Sequence, residues 1–546
     1  MVAREYYSGQ LQRLWLDGID KPACPLPMGE NSLYVAYYAS AEMNCHLALD
    51  WPLPKYLLDL SCEFRCQTNG LSLPAGKGLI GALSANGLEH ISFTEKEEMQ
   101  QLALRGGSYS TAEQLALTDY CQTDVDALTA LLPEIATEIS MDHALIRGRY
   151  MQAAANIESV GIPVELTLHE SLQTNWGRIQ DDLIARVDKD YGVFEGRVFK
   201  RDLFEAYLSR NGISWPRLPS GNLEMKDDTF RSMAKIIPKL SPLRELKHSL
   251  GKMRLNQFPV GQDARNRTML SAFGSKTGRN QPSTSKFLFG SSVWLRGLIK
   301  PAEGWGVAYI DWSQQEFGIA AALSGDKAMK QAYASGDPYL EFAKLAGAVP
   351  ADATKKSHKE QRALYKQTVL AVQYGMGADS MAERIQQPPI VSRDLLHKHR
   401  KAFKTFWEWS DGNVDYALLH RKLWTVFGWQ IQVSGQINAR SLANFPMQAN
   451  GAEMLRIACI LMTEAGIRVC APVHDAVLIE APLEELEDRV KQAQELMREA
   501  SRQVLGGFEL TTDADIYRYP ERYRDEERGG AMWDLVMELL QRLDQD

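Results

Sequence analysis

Two carboxylates placed where the chain bends are the residues best suited to chemistry here. Asp311 directly follows Gly306-Val-Ala-Tyr-Ile310, the apolar run of a buried strand. Asp475 lies at the bend of residues 469–480, which read as strand, turn, strand. Two carboxylates brought together from distant strands can hold two divalent ions about 3.5–4 Å apart. One ion lowers the pKa of an attacking hydroxyl and the other neutralises a leaving pyrophosphate. Mg2+ suits oxygen ligands and substrate phosphates, with Mn2+ as a substitute. Either aspartate alone is most simply a turn residue.

Cations are supplied by a helical segment at 360–376. Arg362, Lys366, Leu370 and Tyr374 recur every four residues, so they form one slowly rotating stripe. The rise from Arg362 to Tyr374 is about 18 Å, the reach of a triphosphate with its sugar and base. Cations at one end would hold phosphates, and the ring at the other would meet the base. For this segment alone, a helix with a solvated basic face is the competing reading.

The chain that positions these groups has 546 residues, enough for a large core and about three or four domains. Its 45% apolar and 24% charged residues are those of an ordinary globular chain. The amino terminus is polar, and no apolar run approaches the roughly 20 residues that span a bilayer. A cytoplasmic protein without membrane attachment is expected, nucleoid-associated if bacterial. The seven cysteines include no CxxC pair. Cys62 and Cys66 could be drawn as zinc ligands beside Cys45 and His46, but reduced, packed thiols are the default.

The net charge of −8 argues superficially against a nucleic-acid partner. Its distribution reverses that: between Lys235 and Lys300 stand 13 Lys/Arg against Glu245 and Asp263, a local +11. Counterion release depends on local charge, so this block suits a phosphate backbone. Small residues in Gly274-Ser-Lys276-Thr-Gly-Arg279-Asn280 allow close backbone approach.

Patterning predicts a strand at 33–39 and an amphipathic helix at 111–132. Helices are expected over 144–159, 167–187 and 227–249. Strands return at 305–311, 424–433 and 469–480, the last two separated by a helix over 444–464. Residues 532–543 read as a short amphipathic docking helix.

Together these residues resemble the family A DNA polymerases over roughly 145–546. Asp311-Trp-Ser-Gln-Gln-Glu316 is similar to the family's motif A, Arg362-x3-Lys366-x7-Tyr374-Gly375 to motif B, and Val473-His-Asp475 to motif C. Thr277-Gly-Arg279 and Arg440-x3-Asn444-x2-Met447-Gln448 resemble two of its duplex-contacting elements. The resemblance implies a mixed α/β right hand: thumb about 145–260, palm about 261–345 and 423–530, fingers about 346–422. It implies that Asp311 and Asp475 bind metal, and that Arg362 and Lys366 bind the dNTP, with Lys366 also protonating pyrophosphate. Gln314, Glu316, Leu370 and Tyr374 would face the dNTP, Glu316 as steric gate against a ribose hydroxyl. Arg279, Arg440, Asn444, Gln448 and His474 would lie along primer and template. Leu370 stands where the family has Phe or Tyr, which should favour discrimination against dideoxynucleotides. Trp312 replaces the motif A tyrosine, Gly318 its arginine, and Ala476 the acid after the motif C aspartate.

Residues 1–140 resemble a degenerate, truncated, ribonuclease H-like 3′–5′ exonuclease domain. Tyr120-x3-Asp124 is similar to its third motif, and Glu42 could take the acid position of its second, with Tyr38 where asparagine is usual. The first motif, a D-x-E, is absent, and Met1–Glu5 enter at the second strand. A structural relic is the expectation; a first motif encoded upstream is the alternative. Primer–template DNA and dNTPs are the implied partners, with replication or repair accessory proteins besides, and a monomer is expected. Glu316 and the Gln-rich motif A disfavour a single-subunit RNA polymerase. Retention of Asp311, Asp475 and Lys366 disfavours a dead DNA-binding protein, and the incomplete acid set disfavours a stand-alone nuclease.

Overall fold

The computed structural model describes residues 1–16, 21–89, 93–252, 258–373, 375–435 and 438–543. In the amino-terminal region β1 (Tyr34–Ala36) and β2 (Leu57–Asp59) pair in parallel. The strand expected over 33–39 stops early because Tyr38 enters the left-handed region (φ 71°) and α1 (Ser40–Ala48) begins. Asp59 fixes that turn. Its carboxylate accepts the N–H groups of Tyr38 (3.1 Å) and Ala39 (2.7 Å), and caps α2 (Leu60–Thr68) through Ser61 (2.8 Å) and Cys62 (3.2 Å). Helix α3 (Thr111–Ala136) starts at a capping box formed by Ser110 and Glu113.

Helix α4 (Met141–Val160) crosses β2 so closely that only glycine fits at 148: a Cβ would stand 1.8 Å from the Leu57 carbonyl oxygen. Ala36, Met43, Leu57 and Cys66 share one buried cluster with Tyr150, Ile310, Trp312 and Trp429. One continuous core therefore joins the amino-terminal region to the strands and helices that carry the carboxylates.

Helix α5 (Leu166–Asp188) leads to a lobe with its own core of Tyr191, Phe204, Trp215, Phe230 and Leu243. The single helix expected over 227–249 is two, α6 (Asp227–Ile236) and α7 (Ser241–Lys252). Pro238 disfavours helical backbone at Ile237, which takes φ −125°, ψ 86°.

Strand β3 (Trp305–Trp312) turns into α8 (Gln315–Ser324). A helical region comes next, including α9 (Pro338–Leu345) and α10 (Lys359–Gln373). His399 is buried there among Phe342, Phe403, Phe406 and Trp407. The strand expected over 424–433 is a hairpin of β4 (Lys422–Trp424) and β5 (Gln430–Gln432), turned at Gly428 with φ 75°. Helix α11 (Ala439–Glu464) begins before the expected residue 444 because the Asn438 side chain caps it through the Ser441 N–H (3.3 Å).

The carboxylates sit on an antiparallel sheet completed by β6 (Arg468–Val473), β7 (Ala476–Pro482) and, beyond α12 (Leu486–Val504), β8 (Thr512–Arg518). Its order is β6-β7-β3-β8, with β3 internal. Helix α13 (Ala531–Leu543) docks on α5 as expected, burying Trp533, Val536, Leu539 and Leu540 with Leu172, Trp176 and Ile179. Among the described residues no helix is long and apolar enough to cross a membrane.

Candidate active site

Strand register decides where the aspartates lie. Ala476 is opposite Asp311, so Asp475, one residue back in the β6–β7 turn, hangs over the end of β3. The Trp312 N–H donates to the Asp475 carbonyl (3.1 Å) and holds the turn there. His474, the other turn residue, has φ 55°, the left-handed backbone that tight hairpins use. Burial first, then the charges of Asp475, Asp513 and Asp515, pushes the Asp311 carboxyl up to about 6. Burial also raises Asp475. A divalent cation would relieve this repulsion, and the oxygen donors fit Mg2+, which leaves most of its coordination to substrate phosphates and water.

The sequence reading missed Asp513. It is the β8 register partner of Asp311, and its Oδ2 accepts a hydrogen bond from the Ser313 hydroxyl (2.5 Å). The available signal was the alternation Thr512-Asp-Ala-Asp515, which sets both acids on one face of a strand. The departures from the family pattern are packing positions. Trp312 is 1% exposed and donates its Nε1–H to the Met497 carbonyl (3.2 Å). A Cβ at Gly318 would stand 2.4 Å from Leu510 Cδ2, and Ala476 is wholly buried.

The cations gather round a ring that sequence reasoning also missed. Arg362 Cζ lies 5.7 Å, and Lys366 Nζ 5.9 Å, from the ring centre of Tyr339. Arg362 Nε donates to Asp337, which caps α9 through the Leu340 N–H (3.2 Å). Burial drives the Tyr339 hydroxyl up to about 12, with Arg362 opposing and the charges of Asp337 and Glu316 adding. Glu316 is paired instead with Arg279. Its carboxyl is raised by burial, against the pull of Arg279, whose Nη2 is 3.8 Å from Glu316 Oε1; the Asp475 charge adds to the rise. Gln314 makes the strand-to-helix turn with φ 47°, which brings Glu316 into the first turn of α8. Leu370 is half-buried one turn beyond Lys366, and Tyr374 lies outside the described residues.

Arg279 has a buried Nε without a hydrogen-bond partner among the described residues. Arg440 lies over the end of α10, where a Cβ at Gly375 would stand 2.5 Å from its Cγ. Asn444 and Gln448, half-buried, lie at four-residue intervals further along the same helix, and His474 is exposed at the hairpin tip.

In the amino-terminal region Glu42 is on α1, while Tyr120 and Asp124 are hydrogen-bonded to each other on α3. Burial pushes Glu42 up to about 8, with the charges of Asp59 and Asp124 adding, and its Oε2 has no hydrogen-bond partner among the described residues. Sequence reasoning missed Asp59. Among the described residues no group of three or more His, Cys, Asp or Glu could hold a metal ion. The sheet therefore offers a carboxylate pair, not a closed cage. The drawn zinc set is dispersed: the Cys66 thiol donates to the Gly428 carbonyl (3.2 Å), and His46 Nδ1 meets the Pro52 carbonyl (2.9 Å).

Comparison with known proteins bears on the family and the fold. Residues 245–516 match the family described as DNA polymerase family A. The chain is 24% identical over 468 residues to DNA polymerase I of Chloroflexus aurantiacus, covering 80% of this chain and 48% of that protein. It is 24% identical over 386 residues to DNA polymerase I of Aquifex aeolicus, covering 66% and 64%. It is 23% identical over 405 residues to the DNA polymerase of Mycobacterium phage D29, covering 71% and 64%. The chain thus spans about half of the first relative and under two thirds of the second. The polymerase domain of Pol1 from M. smegmatis, solved in complex with DNA primer–template and dNTP, superposes with a TM-score of 0.66 at 20% identity, covering 89% of this chain and 85% of that one. The fold is accordingly mixed α/β and that of a family A polymerase domain. Over its matched span, the chain belongs to DNA polymerase family A.

Proposed function

We propose that this chain is a DNA-directed DNA polymerase that adds dNTPs to a primer 3′ end. The observation that carries the reading is the convergence of Asp311 and Asp475 at one corner of the sheet, in a chain that also gathers the cations Arg362 and Lys366 round Tyr339. Two Mg2+ ions held by Asp311 and Asp475 would supply an activated primer hydroxyl and charge neutralisation at the leaving group. The primer 3′ hydroxyl loses its proton to water as its oxygen bonds to the α-phosphorus and the bond to the bridging oxygen breaks, releasing pyrophosphate. Arg362 and Lys366 orient the triphosphate, and the Lys366 ammonium gives a proton to pyrophosphate. Glu316, with Gln314 at its turn, walls the sugar, and Leu370 faces it. Arg279, Arg440, Asn444, Gln448 and His474 lie along the duplex.

Residues 1–140 act as a degenerate exonuclease-like domain without proofreading, ahead of a thumb at about 145–260, a palm at about 261–345 and 423–530, and fingers at about 346–422. Asp59 supports this because its oxygens are occupied by four backbone N–H groups. Extension of a primed DNA template with Mg2+ and dNTPs, comparing wild type with Asp475→Ala, tests the function. Extension by wild type alone is expected; extension by both, or by neither, would overturn the proposal.

A further inference from the structure

Resting on that primer–template reading, the geometry points to Asn69, in the amino-terminal region, as a positioning residue for Arg279. The loop 275–279 that carries Arg279 is closed on itself. The Gly278 N–H donates to the Ser275 carbonyl (2.9 Å), the Ser275 N–H to the Arg279 carbonyl (3.2 Å), and the Arg279 N–H to Ser275 Oγ (3.0 Å). A closed loop still has to be anchored to the body. On one side Arg456, 3% exposed, donates Nη1–H to the Gly278 carbonyl (2.6 Å). On the other side is Asn69, 1% exposed at the end of α2. Its side-chain amide gives one hydrogen to the Lys276 carbonyl (2.6 Å) and one to the Gln430 carbonyl (2.7 Å). Trp429 Nε1 is the second donor to Lys276 (3.1 Å), and its ring backs Gly278, where a Cβ would stand 3.1 Å from Nε1.

The seat of Asn69 is itself rigid. Its backbone carbonyl accepts the Gln432 N–H (2.7 Å), and the Ser434 hydroxyl donates to the Gly70 carbonyl (3.0 Å). Gly70 has φ +91°, and a Cβ there would fall 2.2 Å from the Gln432 carbonyl oxygen. Nearer the start of α2, the buried Glu63 takes two bonds from Arg147 (2.6 and 2.7 Å), which also donates to the Phe427 carbonyl (3.1 Å). Helix α2 therefore grips the β4–β5 hairpin along its length and reaches the Arg279 loop through one amide. Two carbonyls converging on one point require two donors at a fixed angle. Asn69 supplies them, alanine supplies neither, and aspartate would set lone pairs against both. Arg279 has a buried Nε without a hydrogen-bond partner among the described residues, and its Nη2 lies 3.8 Å from Glu316 Oε1, so the place of its guanidinium depends on the loop that carries it. The amino-terminal region thus serves the DNA grip as a buttress, independently of Glu42 and Asp124.

The test uses the full chain and a fluorescent primer–template, read by anisotropy without dNTP and by steady-state extension. Asn69→Ala should raise Kd and KM for primer–template about tenfold, with Asn69→Asp worse. The kcat at saturating primer–template should stay within about twofold of wild type. On an Arg279→Ala background, Asn69→Ala should add less than about twofold, because the two act through one contact. Trp429→Phe, which removes the other donor to Lys276 and keeps a ring, should weaken binding in the same direction and serves if Asn69→Ala melts early. Unchanged DNA affinity, or full additivity with Arg279→Ala, would overturn the inference. Wild-type protein that does not bind primer–template would overturn the proposed function as well, whereas wild-type binding untouched by Asn69→Ala would overturn this inference alone.

Discussion

The molecule gathers acids in two places, and the contrast between them separates a reactive site from a structural one. In the sheet, Asp311 and Asp475 come from a strand end and a hairpin turn, and the charge of Asp475 raises Asp311. Cations stand nearby, round Tyr339. In the amino-terminal region the acids are also gathered but differently committed. Asp59 spends its lone pairs on four backbone N–H groups, and burial leaves Glu42 protonated at neutral pH. A carboxylate that holds a turn together, or that is neutral, is a poor ligand for a hard cation. Proximity of acids is therefore not the criterion; what matters is whether their oxygens remain charged and unoccupied.

The largest effect expected from that contrast is at the sheet. Asp311→Asn or Asp475→Asn should cut primer extension about a thousandfold or more with an unchanged circular dichroism spectrum. Glu42→Gln with Asp124→Asn should leave extension within about twofold. Comparable losses from both pairs would break the comparison. Next is Lys366→Ala, which should lower single-turnover kcat about a hundredfold if its ammonium protonates pyrophosphate; a change confined to KM for dNTP would show that it only binds.

Stability against pH sharpens the amino-terminal half. The folded-state pKa of Glu42, about 8, lies above its ordinary 4.5. Its protonation thus favours the folded state in acid, and that stabilisation is lost progressively as pH rises from about 4.5 until it passes 8. Chemical denaturation should find wild type equal to Glu42→Gln at about pH 4 and about 4–5 kcal/mol less stable at pH 9. A pH-independent difference would place Glu42 in solvent. The smallest effect is at Leu370: Leu370→Tyr should narrow the preference for dNTP over dideoxynucleotide about tenfold in competitive incorporation. Wild-type protein that uses both equally would remove the role assigned to Leu370.

Much of the sheet site was legible because its residues interrupt strong patterns. Asp311 ends an apolar strand, Asp475 punctuates a hairpin, and Arg362 with Lys366 marks a helix stripe. Asp513 was only weakly marked, since the alternating acids of β8 come with few apolar residues and resemble a loop until β3 pairs with them. Tyr339 was hidden for a different reason: its role comes from tertiary approach of α9 to α10, which no local spacing records. The break at Pro238 was readable from the residue-before-proline rule but was overridden by the long helical pattern. The role of Asp59 required knowing that β1 and β2 lie side by side.

One reaction addresses the central claim that the sheet site is live and the amino-terminal acids are structural. A 5′-labelled primer annealed to a longer template is incubated with the protein and Mg2+, with and without dNTPs. Extension to the template end with dNTPs, and an intact primer without them, is the predicted result. Shortening of the primer from its 3′ end without dNTPs, by a protein that fails to extend it when they are supplied, would contradict the claim.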